Sequence, residues 1–110
     1  MGSHTHEDDF VKIHENGHAG AELIGSDNGA TNGFCLGVSA YYLETYGEPG
    51  VHDDQEGFYV LEGTGTAKVG NEEFEIAPGS AFIALQGVPH SIKRNSGSAP
   101  IKVVWTHGAV

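Results

Sequence analysis

Two glycine-punctuated stretches decide the fold class: HDDQEGFYVLEG at residues 52–63 and GSAFIALQGVPH at residues 79–90. Each contains a short run of β-branched and aromatic residues, which favour strands, between glycine, proline or aspartate residues, which favour turns. Similar runs recur along the chain, and Gly70-Asn71 separates two of them as a hairpin turn would. We predict strands at residues 34–44, 57–62, 65–69, 73–76, 81–85, 91–94 and 101–106. Many short strands between turns indicate an all-β sandwich or barrel.

The 110 residues suffice for one domain. We predict a disordered tail at residues 1–9, part of which resembles a vector-derived remnant, and a single domain at residues 10–110. A single helical turn is compatible with residues 19–24. Residues 10–25 hold too few apolar side chains to form a core alone, and strands such as that at residues 34–44 leave a sheet edge to pair. We therefore expect a homodimer in which this N-terminal segment reaches the partner.

The charge balance restricts the partners. Five basic residues stand against 15 acidic ones, a net charge of -10, which repels nucleic acid and attracts metal cations. The single cysteine excludes an internal disulfide and an all-cysteine zinc site. We find no apolar run of about 18 residues and no leader pattern, so we expect no membrane span, no signal peptide and a cytoplasmic location.

Histidine and glutamate residues lie at the ends of the predicted strands. Residues four apart on a strand share a face, so His52 and Glu56 can point the same way, and His90 on a neighbouring strand can meet them. Two imidazoles and one carboxylate on one face of a metal ion leave its other positions open to a small molecule. The sequence therefore predicts one divalent metal ion in a barrel pocket, with Fe, Mn, Ni, Zn and Cu all compatible.

The first stretch resembles the first motif of the cupin superfamily, G-x5-H-x-H-x3,4-E-x6-G. His52, Glu56 and Gly63 match its second half in register. The family's first histidine falls at Gly50, so one usual metal ligand is absent from this chain.

The second stretch resembles the second cupin motif, G-x5-P-x-G-x2-H-x3-N. Gly79, Gly87 and His90 match it in register, while Leu85 replaces the proline and Asn95 comes one residue late. Either motif alone would be a weak signal, but the two occur together at the separation that is typical of the superfamily.

This resemblance implies a double-stranded β-helix, an RmlC-like jelly roll, that holds one divalent metal ion through His52, Glu56 and His90. It also implies a small organic molecule as substrate or ligand, and oxygenase, isomerase and lyase chemistries are all represented in the family. Two alternatives stay open. One is a non-catalytic binding or sensing module, and the other is a metal-free cupin that has lost its site, since Gly50 replaces a ligand.

Asp54 is a candidate extra ligand, because in a straight strand it shares the face of His52 and Glu56. We interpret it instead as a solvated loop carboxylate, since aspartate favours turns and avoids strand interiors. His14, His18 and His107 have no ligand-like neighbours in the sequence and are predicted to be surface residues.

Four further residues are candidates for the walls of the pocket. Phe58, Val60 and Phe82 alternate along their strands and are predicted to belong first to the core and second to the pocket. Arg94 shares the face of His90, so its guanidinium could bind a substrate carboxylate. The alternative for Arg94 is a surface position at the end of a strand.

Overall fold

The seven predicted strands are present in the structure, a computed structural model that describes residues 2–110. Met1, the first residue of the predicted tail, lies outside the described residues. Two further strands precede the seven. In chain order the strands are β1 (Ile13–Glu15), β2 (His18–Ile24), β3 (Cys35–Tyr41), β4 (Gln55–Glu62), β5 (Gly65–Val69), β6 (Glu72–Ile76), β7 (Ala81–Ala84), β8 (His90–Arg94) and β9 (Ile101–Gly108).

The strands form two antiparallel sheets. One has six strands in the order β1-β2-β3-β9-β4-β7, and the other has three in the order β6-β5-β8. Residues from both sheets meet in one apolar core. Its buried members are Phe58, Val60, Ala67, Ile76, Ala84, Ile92, Ile101 and Val103. The predicted all-β jelly roll, a double-stranded β-helix, is confirmed.

Alternation along each strand explains which residues enter the core. In β4, Phe58 and Val60 are buried. The residues that follow each of them, Tyr59 and Leu61, are exposed, as the two-residue period of a strand requires. The turn at Gly70-Asn71 also forms as predicted: Val69 and Glu72 are paired, and Gly70 has φ 59°, a value that glycine adopts without strain.

The N-terminal segment differs from the prediction. Residues 18–24 form strand β2, so the proposed helical turn at residues 19–24 is wrong, and β2 pairs with β3 of the same chain. Gly20 permits this close approach, since a Cβ there would collide with the side chain of Ser39. A strand of small residues carries little apolar periodicity, which is why the pattern concealed it.

Part of the predicted tail contacts the domain. Glu7–Asp9 form a 3-10 turn, and the Glu7 carboxylate lies 3.0 Å from Lys102 Nζ and 3.1 Å from Lys12 Nζ. The two lysines hold the pKa of Glu7 below its usual value through hydrogen bonds. Within residues 2–110, no helix has the length and apolar character needed to cross a bilayer.

Candidate metal centre

The structure brings the three predicted metal ligands together at one end of the barrel interior. Glu56 is the second residue of β4, His90 is the first of β8, and His52 lies in the loop before β4. Glu56 Oε1 lies 3.1 Å from His52 Nε2 and 3.4 Å from His90 Nε2. One donor atom from each residue lies within 4.8 Å of the other two. His52, Glu56 and His90 are therefore positioned to bind a metal ion.

Backbone hydrogen bonds join the two motif stretches and fix this arrangement. Gly50 and His90 exchange both N–H···O bonds at 2.9 Å, and Gly87 N–H donates to the carbonyl of His52 at 2.9 Å. The loop that carries His52 is therefore bonded to the turn and strand start that carry His90. Glu56 faces them from the other sheet, where β4 pairs with β7 and β9.

The electrostatics of the cluster suit a cation. Burial raises the pKa of Glu56 to about 7 and lowers the pKa of His90 to about 4, and burial also lowers the pKa of His52. Glu56 Oε1 and His90 Nδ1 are buried without a hydrogen-bond partner. A buried carboxylate oxygen without a partner is costly, and neutral imidazoles are the form that binds metals. These residues fit a divalent metal ion.

Gly50 leaves space beside the cluster rather than a ligand. A Cβ at residue 50 would lie 2.9 Å from His90 Nε2 and 3.7 Å from His52 Nε2. A histidine there, as in the family motif, would have to displace the ring of His90. The position of the His90 ring is thus linked to the absence of a side chain at residue 50.

His107 was predicted to be a surface residue, and this prediction is wrong. It lies directly opposite Glu56 in the β4–β9 pairing, and its side chain is 14% exposed. Its Nε2 lies 3.4 Å from Glu56 Oε2. Alternation could have found it, because Ile101, Val103 and Trp105 precede it on the inward face of β9. The predicted strand ended at residue 106, two residues before the end of β9.

Asp54 lies in a loop as predicted, but its carboxylate contacts His107, and it is not among the three candidate metal ligands. His107 Nδ1 donates to both of its oxygens, at 2.9 Å from Oδ1 and 3.0 Å from Oδ2. The side chain is only one-third exposed. Asp54 lies in the bend just before β4, so it approaches the cluster from behind His107.

An open cavity of about 280 Å³ leads from the cluster to solvent. Its lining includes Tyr41, Trp105 and two exposed carboxylates, Glu15 and Glu48. His18, predicted to lie on the surface, also lines it and stacks on Tyr41 with ring centroids 4.8 Å apart. Among the described residues no lysine or arginine lines this cavity.

The four predicted wall residues lie elsewhere. Phe58 and Val60 are core residues, and Phe82 stacks on Phe58 with ring centroids 4.7 Å apart. Arg94 is used to tie loops together: its Nε donates to the carbonyl of Tyr42 at 2.8 Å and Nη1 donates to that of Ser98 at 3.2 Å. None of the four lines the cavity over residues 2–110.

The fold is a two-sheet jelly roll, and two histidines and a glutamate lie at the base of its open cavity. These features define a class of β-barrel protein with a site positioned for a metal ion. A family model described as the cupin domain matches residues 43–107, more than half of the chain. The chain belongs to the cupin family.

The relatives are distant. An uncharacterised protein of Methanocaldococcus jannaschii is 34% identical over 53 residues, which cover 48% of this chain and 42% of that protein. The chain thus spans less than half the length of the curated relative it matches.

Solved structures resemble the whole chain. The polyketide cyclase RemF from Streptomyces resistomycificus has a TM-score of 0.77 at 24% identity, covering 97% of this chain and 80% of that one. A predicted oxalate decarboxylase from Thermotoga maritima has a TM-score of 0.80 at 14% identity, covering 96% and 97%. At these identities the likeness shows the fold alone.

Proposed function

We propose that this cupin binds one divalent metal ion through His52, Glu56 and His90 and takes a small organic molecule at the positions that these ligands leave open. The observation that supports this most directly is the convergence of two imidazole nitrogens on Glu56 Oε1, a buried oxygen without a hydrogen-bond partner. The cluster lines a cavity of about 280 Å³, just below the usual size range of small-molecule sites, which begins at about 300 Å³.

The lining of the cavity restricts what it can hold. Trp105 Nε1 donates to Ser39 Oγ at 2.9 Å, which fixes the indole as a flat apolar wall. Burial raises the pKa of Tyr41, so its hydroxyl stays protonated and can donate a hydrogen bond. A bound divalent ion would supply Lewis-acid or redox chemistry and the positive charge that the lining lacks. We infer that an acidic ligand would be held through the ion rather than through a side chain.

An enzymatic role is one form of this proposal. A polyketide cyclase and a predicted oxalate decarboxylase share the fold, although at low identity. Oxygenase, isomerase and lyase reactions all fit an open metal position beside a small cavity. A binding or sensing module without turnover would use the same site.

The first experiment is elemental analysis of untagged protein, followed by calorimetric titration with Fe(II), Mn(II), Ni(II), Zn(II) and Cu(II). We expect one ion per chain in the wild type and none in His52→Ala. His4 and His6 could bind metal on their own, so the double variant His4→Ala/His6→Ala is the matched control and should still bind one ion. A wild type that binds no ion would favour the metal-free alternative.

The second experiment screens turnover of small acids and sugars by the metal-loaded protein, with and without oxygen. Turnover that is lost in His52→Ala would establish an enzyme, and its oxygen dependence would separate oxygenase chemistry from isomerase and lyase chemistry. Saturable binding of a small molecule without turnover would instead establish a binding or sensing module.

A further inference from the structure

A line of side chains runs from Glu56 through His107 to Asp54. Glu56 Oε1 faces His52 and His90, whereas Glu56 Oε2 lies 3.4 Å from His107 Nε2. His107 Nδ1 in turn lies 2.9 and 3.0 Å from the two oxygens of Asp54. The two oxygens of Glu56 therefore have different neighbours.

The ring of His107 is held on several sides. The edge-on ring of His52 lies 4.9 Å from it between centroids, and the ring of Trp105 lies 5.5 Å from it, also edge-on. Its backbone is paired to Glu56 on one side and to Cys35 on the other. Because neighbouring rings and two strands hold it, the imidazole is pre-organised against the carboxylate rather than free to rotate.

The two ring nitrogens of His107 have different contacts. A carboxylate only accepts hydrogen bonds, so His107 Nδ1 is the donor in its contacts with Asp54. With Nδ1 held in this way, Nε2 is the nitrogen that faces Glu56 Oε2, at 3.4 Å. Among the described residues, moreover, the cluster that meets the 4.8 Å limit contains His52, Glu56 and His90 but not His107.

We propose that His107, held by Asp54, is a positioning residue that occupies Glu56 Oε2 and so makes Glu56 a one-oxygen ligand. This inference rests on the proposed metal site. A carboxylate that binds through both oxygens takes two coordination positions, and one that binds through a single oxygen takes one. His107 thereby preserves an open position toward the cavity, where the small molecule would bind.

The test uses Co(II) as the probe and full-length protein, with three variants. His107→Leu removes the contact, His107→Gln keeps a donor for Oε2, and Asp54→Asn weakens the hold on His107. We expect His107→Leu to lower Co(II) affinity by about 10–100-fold, the usual cost of losing a partner of a ligand, while one ion still binds. His107→Gln should recover most of this loss, and Asp54→Asn should lose less than His107→Leu.

X-ray absorption of the Co(II) protein gives a readout that a merely structural role would not move. We expect X-ray absorption to show two imidazole ligands in both the wild type and His107→Leu. The visible Co(II) spectrum should change in the variant, because Glu56 can then bind the ion through both oxygens. His14→Leu, at an exposed position on β1, is the matched control and should change neither affinity nor spectrum.

Two results would overturn the inference. Three imidazoles in the wild type that fall to two in His107→Leu would make His107 a ligand. Unchanged affinity and spectrum in His107→Leu would leave it without a role. Either result leaves the proposed function standing as long as His52→Ala abolishes binding, whereas a wild type that binds no Co(II) overturns both proposals together.

Discussion

The barrel interior has two ends, and the same strands build both of them differently. β4 supplies Glu56 at one end and Val60 at the other, and β9 supplies His107 at the first end and Ile101 at the second. At the closed end the side chains are apolar and fully buried. At the open end they are ionisable, partly unpaired and in contact with a cavity.

The closed end stabilises the fold, whereas the open end carries the residues of the candidate metal site. Each square ångström of apolar surface buried at the closed end contributes about 25 cal/mol to folding. At the open end a carboxylate is buried with one oxygen lacking a hydrogen-bond partner, which costs stability. Substitutions at the closed end should therefore lower the stability of the fold and leave metal binding unchanged. Substitutions at the open end should lower metal affinity without lowering the stability of the fold.

The largest effect on stability is expected from Ile101→Ala at the closed end. Ile101 is fully buried, and removing such a side chain from a core typically costs about 2–5 kcal/mol of unfolding free energy. Urea denaturation measures this loss, and Ile13→Ala, the same substitution at an exposed position of β1, should cost little. Metal stoichiometry should stay unchanged in both variants. A loss of metal in folded Ile101→Ala would contradict the separation of the two ends.

Glu56→Gln at the open end should lower metal affinity without lowering the stability of the fold. Burial raises the pKa of Glu56 to about 7 in the folded chain, against 4.5 as its ordinary value, so the folded state holds the proton more tightly than the unfolded state. Wild-type stability therefore falls as the pH rises from 4.5 to about 7, and the whole penalty is present above 7.

We therefore expect metal-free Glu56→Gln to be more stable than the wild type at pH 8 and equal to it at pH 4. Its metal affinity should fall by more than the roughly 100-fold that losing an outer partner costs, since a ligand itself is lost. Thermal denaturation at the two pH values and metal titration measure both effects. A metal-free variant less stable than the wild type at pH 8 would show that Glu56 stabilises the fold.

The sequence predicts the closed end better than the open end. Alternation identifies Phe58 and Val60 as core residues without knowledge of any partner strand. The cluster of His52, Glu56 and His90 was found because the spacing of two motifs substitutes for knowledge of strand pairing. The inward position of His107 was missed because the predicted strand ended at residue 106, and its contact with Glu56 depends in addition on the register of β9 against β4, which no local pattern contains.

Arg94 illustrates a second limit. Alternation places Arg94 on the same face of β8 as His90 and Ile92. A strand, however, advances about 13 Å over four residues, so Arg94 lies much farther along the barrel than His90. The guanidinium therefore meets the carbonyls of Tyr42 and Ser98 instead of the cavity. Face can be predicted from sequence, whereas depth along the barrel depends on how the strands are staggered.

The pH dependence of metal binding sharpens the description of the open end. Burial raises the pKa of Glu56 to about 7 and lowers the pKa of His90 to about 4, so near pH 6 the carboxyl is largely protonated and the His90 imidazole is neutral. Binding then releases one proton, and affinity should fall about tenfold per pH unit below pH 7. Calorimetry in buffers of different ionisation enthalpy counts this proton. Affinity that is constant from pH 7 to 5 would contradict a buried Glu56 ligand.

Gly50→Ala should perturb the open end by a smaller amount. The added Cβ would lie 2.9 Å from His90 Nε2, so the ring must shift and metal affinity should fall about tenfold, the low end of the cost of disturbing a ligand's surroundings. Gly57→Ala is the matched control on β4, because its Cβ would meet Thr106 Cγ2 at an ordinary 3.6 Å. Equal metal affinities in the two variants would show that His90 moves freely and that Gly50 does not set its position.

The smallest effect on the site is expected from the outer face of β4 and β7. The apolar side chains there are all about half-exposed: Tyr59 and Leu61 of β4, Ile83 of β7 and Leu85 directly after β7. β7 is an edge strand of the six-stranded sheet. An exposed apolar face beside an open edge favours association, and we expect a homodimer through this face, which leaves the cavity open on the other side of the strands.

Sedimentation equilibrium at micromolar concentration should therefore give about twice the chain mass of 11.6 kDa, because two identical faces can pair about a twofold axis. Ile83→Lys should give the monomer mass, since the paired faces would bring two like charges together in an apolar contact. Val11→Lys, at a more exposed apolar position outside this face, should stay dimeric. Both variants should bind metal as the wild type does, because neither side chain lines the cavity among residues 2–110. A wild-type mass near 11.6 kDa would refute the dimer, and a dimeric Ile83→Lys would move the interface to another face.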